Sequence, residues 1–172
     1  AQGLYKNAKF KKISFSKAGE SFLLNYLDVL TDEEEIGVIK DLVKELMLAK
    51  KTELGGLRSQ VSPEDILIVA PYNHQVRNLQ ESLGKKFNIG TVDKFQGREA
   101  PLVIISMTAS DIESAPRGAE FLFDRNRLNV AVTRAQSLAI IVGSPNLNIP
   151  FARSEKEMKL VNFYLDLIEY AN

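Results

Sequence analysis

Two short segments of this sequence carry polar residues that packing alone does not explain. Residues 90–99 read G-T-V-D-K-F-Q-G-R-E, and residues 127–135 read R-L-N-V-A-V-T-R-A. The second segment places Arg127 and Arg134 seven residues apart, on one face of what we predict to be a helix. Polar groups at the end of a strand, combined with a guanidinium from a helix, form a phosphate site in many α/β proteins.

Gly97 and Glu99 give the first segment its chemistry. Glycine permits a positive φ or a close approach of the backbone to a ligand. The Glu99 carboxylate could accept hydrogen bonds from two ribose hydroxyls, or it could pair with Arg127. The alternative is an ordinary surface turn, but turn formation does not require a Gln-Gly pair followed by an Arg-Glu pair.

Arg134 is the first candidate for a catalytic residue. We predict that it lies in the middle of a helix, among small neighbours and near the carboxyl edge of a sheet, where a partner can approach. Facing a γ-phosphate held by another domain, its guanidinium would stabilise negative charge in the transition state. A purely structural arginine is the alternative.

Tyr72 and Gln75 follow an apolar strand pattern, in the sequence A-P-Y-N-H-Q. Ligands of open α/β sheets bind at the carboxyl ends of strands, so both residues are candidates for a binding site. An ordinary strand–loop–helix joint is the alternative. The acidic run at 32–35 is predicted to be the first turn of a helix, which the helix dipole favours, rather than a Mg²⁺ site.

The composition indicates one soluble domain over residues 1–172. Lys and Arg together number 22, as do Asp and Glu, so no overall basic field attracts nucleic acid. The absence of cysteine excludes disulfides and thiol catalysis, and a single histidine cannot form a metal cluster. No segment is apolar enough to suggest a membrane span or a signal peptide, and the sequence does not begin with Met. We expect a domain of a longer intracellular protein, cytoplasmic or nuclear.

Apolar β-branched runs alternate with amphipathic helical patterns along the chain, as in an α/β protein with a mainly parallel sheet covered on both faces. The predicted strands are 10–15, 66–70, 89–92, 102–108 and 138–143. A capping box at Thr31 and Glu34 is predicted to begin the first helix. Residues 50–62 are predicted to be a surface turn, and 111–124 a loop long enough to suggest a function.

Taken together, residues 71–76, 91–99 and 127–135 resemble motifs IV, V and VI of the second (C-terminal) RecA-like domain of superfamily 1 helicases. The branch is the one that includes the nonsense-mediated-decay RNA helicase and its DNA-helicase relatives. The resemblance extends from about residue 31 to residue 145, and it implies a three-layer α/β/α fold of the P-loop NTPase type.

For the nucleotide, the resemblance implies that Tyr72 packs on the adenine base and that Gln75 is a polar residue near it. It places Gly97 and Glu99 at the nucleotide, with Glu99 on the ribose. Arg134 matches the arginine finger of motif VI, and Arg127 matches the supporting arginine before it.

For the nucleic acid, the resemblance implies that Thr91 and Val92 contact the sugar-phosphate backbone of single-stranded DNA or RNA. The chain departs from the family in having Val76 directly after the motif IV glutamine, with Arg77 one residue later, and Gln136 where a basic residue is usual. The first thirty residues match only loosely.

The chain contains no G-x-x-x-x-G-K-[ST] loop. The resemblance therefore implies half of a two-domain motor, in which ATP and Mg²⁺ are bound mainly by a first RecA-like domain of the same protein. The complete protein would be an ATP-dependent helicase moving 5′ to 3′, and the chain in isolation would be inert. The alternative is a regulatory or nucleic-acid-binding domain that kept the fold and lost the motor activity.

Overall fold

A six-stranded sheet in the order β1-β2-β8-β7-β5-β6 forms the centre of the molecule. The computed structural model describes residues 15–17, 20–28, 32–52, 58–148 and 152–171. The strands β2, β8, β7, β5 and β6 run parallel, and β1 pairs antiparallel with β2 at one edge. The strands of this sheet are β1 (Phe15–Lys17), β2 (Glu20–Asp28), β5 (Ile66–Val69), β6 (Asn88–Gly90), β7 (Ala100–Ser106) and β8 (Ala135–Gly143).

In the described part of the chain, five α-helices cover the sheet on both faces. They are α1 (Asp32–Leu48), α2 (Asn73–Leu83), α3 (Gly118–Leu122), α4 (Arg125–Val132) and α5 (Glu155–Ala171). Apolar residues of α1 and α2 pack against one face of the sheet, and those of α3, α4 and α5 pack against the other. This arrangement confirms the predicted three-layer α/β/α fold with a mainly parallel sheet.

The central strands are apolar along their whole length because helices cover both of their faces. In β5 all four residues are buried: Ile66 and Ile68 face the layer of α1 and α2, while Leu67 and Val69 face the layer of α3 to α5. Among the described residues, none of the helices combines the length and apolarity that crossing a membrane would need.

Two segments predicted to be irregular contain regular structure. Residues 50–62 include a hairpin of β3 (Lys50–Thr52) and β4 (Arg58–Gln60), and Lys51 Nζ forms a 2.6 Å ion pair with Asp65 Oδ1. The 111–124 segment contains α3. The strand β2 was not predicted, whereas residues 10–14 of the predicted first strand and Thr31 of the capping box lie outside the described part of the chain.

The prediction that Arg134 lies in the middle of a helix is wrong. The helix α4 begins at the Asp124 side chain, which accepts the Arg127 backbone N–H at 2.9 Å, and it ends at Val132. Ala135 continues the apolar spacing of the helix but pairs with Ala100 as the first residue of β8. Arg134 therefore lies in the turn at the amino end of β8, not at the carboxyl edge of the sheet.

We predict that Ile104→Ala lowers the free energy of unfolding by about 2–5 kcal/mol. Ile104 is fully buried at the centre of β7, so truncation leaves a cavity between the sheet and the helices. Urea unfolding of the 172-residue chain, followed by circular dichroism, measures the change. Leu48→Ala is the control because Leu48 is 79% exposed, and equal losses in the two variants would contradict the assignment of the core.

Candidate nucleotide site

A small crevice opens at the carboxyl ends of β5, β6 and β7, where the chain passes from β6 across β5 to β7. Such a change in winding direction is the usual ligand position in an open α/β sheet. The crevice contains a cavity of about 30 Å³. Its walls include Val69, Pro71, Thr91, Val92, Ser106, Met107, Phe121, Leu122 and Arg127.

Tyr72 lies beside this cavity beneath an aromatic cover. Its ring stacks on Phe121 at a centroid distance of 5.3 Å and an interplanar angle of 26°, and on His74 at 5.7 Å and 21°. The guanidinium carbons of Arg117 and Arg127 lie 3.9 and 4.1 Å from the centroid of the Phe121 ring. Tyr72 is therefore only 6% exposed, and Phe121 covers the ring that the resemblance places against adenine.

The hydroxyl of Tyr72 is buried and has no hydrogen-bond partner among the described residues. Burial raises the pKa of this hydroxyl, although the backbone N–H of Arg117 and the charges of Arg117 and Arg127 oppose the shift. The Arg117 amide is thus close enough to act on the hydroxyl but does not reach hydrogen-bond geometry. With Phe121 stacked on Tyr72, the Tyr72 hydroxyl is therefore kept away from water.

A network of buried polar side chains underlies the crevice. Glu35 of α1 is 1% exposed, and its two carboxylate oxygens each accept the backbone N–H of Thr108 at 3.1 Å. The hydroxyl of Ser106 also donates to Glu35, and Gln75 Nε2 donates to Ser106 Oγ at 3.2 Å. Thr108 has a φ of 61°, which is rare for a β-branched residue. The network therefore joins α1, α2 and the end of β7 at a strained position.

Two residues of this network were considered in the sequence. Gln75 is buried and donates to Ser106, so in this conformation its amide supports the site from below and is not presented to a ligand. Residues 32–35 form the first turn of α1, as predicted, and Glu35 is in addition buried and hydrogen-bonded. A signal for its burial exists in the sequence, because Glu35 occupies the same helical stripe as the buried residues Ile39 and Leu42.

Thr91 and Val92 leave the end of β6 and lead into a 3₁₀ turn at Val92–Phe95, so they do not extend the strand as predicted. Both are half-buried at the wall of the cavity. Arg127 Nη2 lies 3.7 Å from Asp93 Oδ2, so its ionic partner is Asp93 and not Glu99. Arg77, in contrast, lies on the exposed side of α2.

Glu99 and Arg134 come together at the amino ends of β7 and β8. The N–H of Ala100 donates to the Arg134 carbonyl at 3.0 Å, and Arg134 Nη1 donates to the Arg98 carbonyl at 3.5 Å, so the two bonds bracket Glu99. Arg134 Nε donates to the Val130 carbonyl at 3.2 Å. Gly97 has a φ of 76°, the positive value that glycine was expected to permit.

The candidate residues thus form two groups at the two ends of α4. Tyr72, Thr91, Val92 and Arg127 lie at the first turn of the helix, with Gln75 beneath them, whereas Gly97, Glu99 and Arg134 lie beyond its last turn. The eight residues of α4 span roughly 12 Å along the helix axis and separate the two groups. Residues 91–99 run beside α4 and join the two groups on one side of the sheet.

Metal ligands were not predicted in this chain. The described residues include no group of three His, Asp or Glu side chains placed to hold a metal ion.

We predict that Glu35→Gln lowers the free energy of unfolding by about 1–3 kcal/mol, because the amide NH₂ places a donor against the buried donors of Ser106 and Thr108. Urea unfolding of the 172-residue chain measures this change. Glu45→Gln is the matched control, since Glu45 is exposed on the same helix. Equal stabilities of the two variants would show that the buried carboxylate is not needed.

The sequence of this chain is similar to those of known helicases. The family model described as AAA domain matches residues 6–146. The putative helicase mov-10-B.1 of Danio rerio is 34% identical over 126 residues, which cover 64% of this chain and 12% of that protein. The Regulator of nonsense transcripts 1 homolog of Drosophila melanogaster is 37% identical over 120 residues, covering 64% and 10%.

A third relative is named for DNA replication. The DNA replication ATP-dependent helicase/nuclease DNA2 of Homo sapiens is 38% identical over 96 residues, which cover 54% of this chain and 9% of that protein. The chain spans roughly a tenth of the length of these curated relatives. It belongs to the AAA domain family, as a superfamily 1 helicase domain of the branch that contains the nonsense-mediated-decay helicase and its DNA-helicase relatives.

Proposed function

We propose that this chain is the second RecA-like domain of an ATP-dependent nucleic-acid helicase or translocase. In this proposal it supplies motifs IV, V and VI to an ATP site shared with a first RecA-like domain of the same protein. The observation that carries the proposal is the placement of Arg134 beside Glu99 in the chain fold, with backbone carbonyls as the only partners of its guanidinium among the described residues.

The surroundings of Arg134 suit an arginine that acts on a phosphate. The carbonyls of Val130 and Arg98 fix Nε and Nη1, while Nη2 has no partner among the described residues. No described carboxylate lies within ion-pair distance of this guanidinium, so its charge is not neutralised within the described part of the chain. A preorganised, unneutralised guanidinium costs little to reorganise when negative charge develops on a γ-phosphate.

The remaining residues take the roles that their positions allow. Tyr72 would stack on the base once Phe121 has moved, and the exposed Glu99 would accept the ribose hydroxyls beside Gly97. Arg127 would support the site from the first turn of α4, and Gln75 would hold the start of α2 in place through Ser106. Bound ATP with Mg²⁺ supplies the phosphate that is transferred to water, and the ligands of the metal would come mainly from the first domain.

Single-stranded DNA or RNA would contact the chain at Thr91 and Val92. The net charge of zero is consistent with only half of a nucleic-acid track being present in this chain. The names of the relatives refer both to transcripts and to DNA replication, so they support either polymer. We further propose movement 5′ to 3′ and an intracellular location, in the cytoplasm or the nucleus.

The second candidate function is a regulatory or nucleic-acid-binding domain without motor activity. A binding module has no use for an arginine directed at transition-state charge, so the arrangement of Arg134 and Glu99 favours the motor.

In the complete protein, we predict that Arg134→Ala lowers ATP turnover by roughly 10³-fold or more while nucleotide binding is largely kept. Arg134→Lys should rescue turnover poorly, because an ammonium cannot reproduce the planar contact of a guanidinium with phosphate. Steady-state ATPase kinetics measure both variants. Arg153→Ala is the control, because Arg153 is exposed and pairs with Glu113. Wild-type turnover of Arg134→Ala would reduce this arginine to a structural role.

We also predict that the isolated 172-residue chain shows no nucleic-acid-stimulated ATPase activity above background. The chain contains no phosphate-cradling loop, and catalysis of phosphoryl transfer depends on that loop and on bound metal. Phosphate release by the purified chain, with and without single-stranded DNA or RNA, measures this. Turnover that disappears in Arg134→Ala would show a complete site within the chain and contradict the two-domain proposal.

A further inference from the structure

Phe121 occupies the surface that a nucleotide base would need on Tyr72. The two rings are stacked at 5.3 Å, and Tyr72 is 6% exposed, so a base cannot reach its ring in this conformation. Stacking of two aromatic rings has the same geometry as stacking of a base on tyrosine. The protein thus supplies its own substitute for the base.

Phe121 lies at the edge of the core. It is only partly buried, and the guanidinium groups of Arg117 and Arg127 lie within about 4 Å of its ring centroid. Cation–π contacts at such positions are individually weak. Rotation of the Phe121 side chain can therefore uncover Tyr72 while Ala119 and Leu122 of α3 stay buried in the core.

One feature favours the opening of this cover. Among the described residues the Tyr72 hydroxyl has no hydrogen-bond partner, which offsets part of the gain from stacking, and it would be hydrated once Phe121 moves away.

We propose that Phe121 is a residue of the nucleotide site that competes with the base for Tyr72, so that the base binds only after it displaces Phe121. This inference rests on the proposed role of Tyr72 in nucleotide binding. The apparent affinity for nucleotide is reduced by the fraction of molecules in which Phe121 covers Tyr72. Phe121, which lies between Arg117 and Arg127, therefore determines the apparent affinity of the nucleotide-free domain for ATP.

The experiment measures the affinity of the complete protein for N-methylanthraniloyl-ATP by fluorescence titration. Phe121→Ala removes the competing ring and should tighten binding by roughly 2- to 10-fold, the range expected from the strength of one aromatic pair. Phe121→Leu should act in the same direction, and it keeps an apolar side chain over the cavity in case the alanine variant is unstable. Phe163→Ala is the matched control, because Phe163 also packs under an arginine, Arg125, but does not line the cavity.

The outcomes separate this inference from the proposed function. Unchanged or weaker binding in both Phe121 variants, together with weaker binding in Tyr72→Ala, would overturn the competition and leave the role of Tyr72 standing. If binding is weaker in the Phe121 variants, Phe121 contacts the base as a second wall of its pocket. Wild-type affinity in Tyr72→Ala would overturn both. Tighter binding in the Phe121 variants, with wild-type affinity in Phe163→Ala and a loss in Tyr72→Ala, supports the inference.

Discussion

The hydrogen bonds from the Thr108 backbone to the Glu35 carboxylate fix the point at which the chain leaves the central sheet. A β-branched residue in the left-handed region costs on the order of 1–3 kcal/mol and persists only where its surroundings impose it. Here the surroundings are a buried carboxylate from α1 and the hydroxyl of Ser106. The segment that follows, which carries Arg117 and then Phe121 on α3, begins at this position.

The position of Gln75 in the same network extends this constraint to α2. Its amide donates to Ser106, which places the start of α2, and with it Tyr72, at a fixed height above the end of β7. The two aromatic rings that meet over the crevice therefore belong to segments that both adjoin this buried network. A change in the Glu35 carboxylate would therefore alter the positions of Tyr72 and Phe121 together, although neither ring touches it.

The layers of the fold could be predicted from the sequence because the central strands are apolar throughout and alternate with helical patterns. The end of α4 could not be predicted in this way. The spacing of Leu128, Val132 and Ala135 fits a helix that continues, but Ala135 pairs with Ala100 as the first residue of β8. The contact between Phe121 and Tyr72 could not be predicted from the local sequence either, because it depends on how distant segments of the chain pack together. The burial of Glu35 was detectable in the helical stripe, but an acid in a first turn has a simpler local explanation.

The helix α4 separates the two groups of candidate residues, and its length has a consequence for how this protein can vary. Substitutions on its exposed side leave the spacing of Arg127 and Arg134 intact. Insertion or deletion of one residue would instead turn one end of the helix by about 100° relative to the other and shift it by about 1.5 Å. One of the two arginines would then point away from residues 91–99. Among proteins that share this site, differences in length are therefore expected in the loop before α3 and excluded from the eight residues that start at Arg127 and end at Arg134.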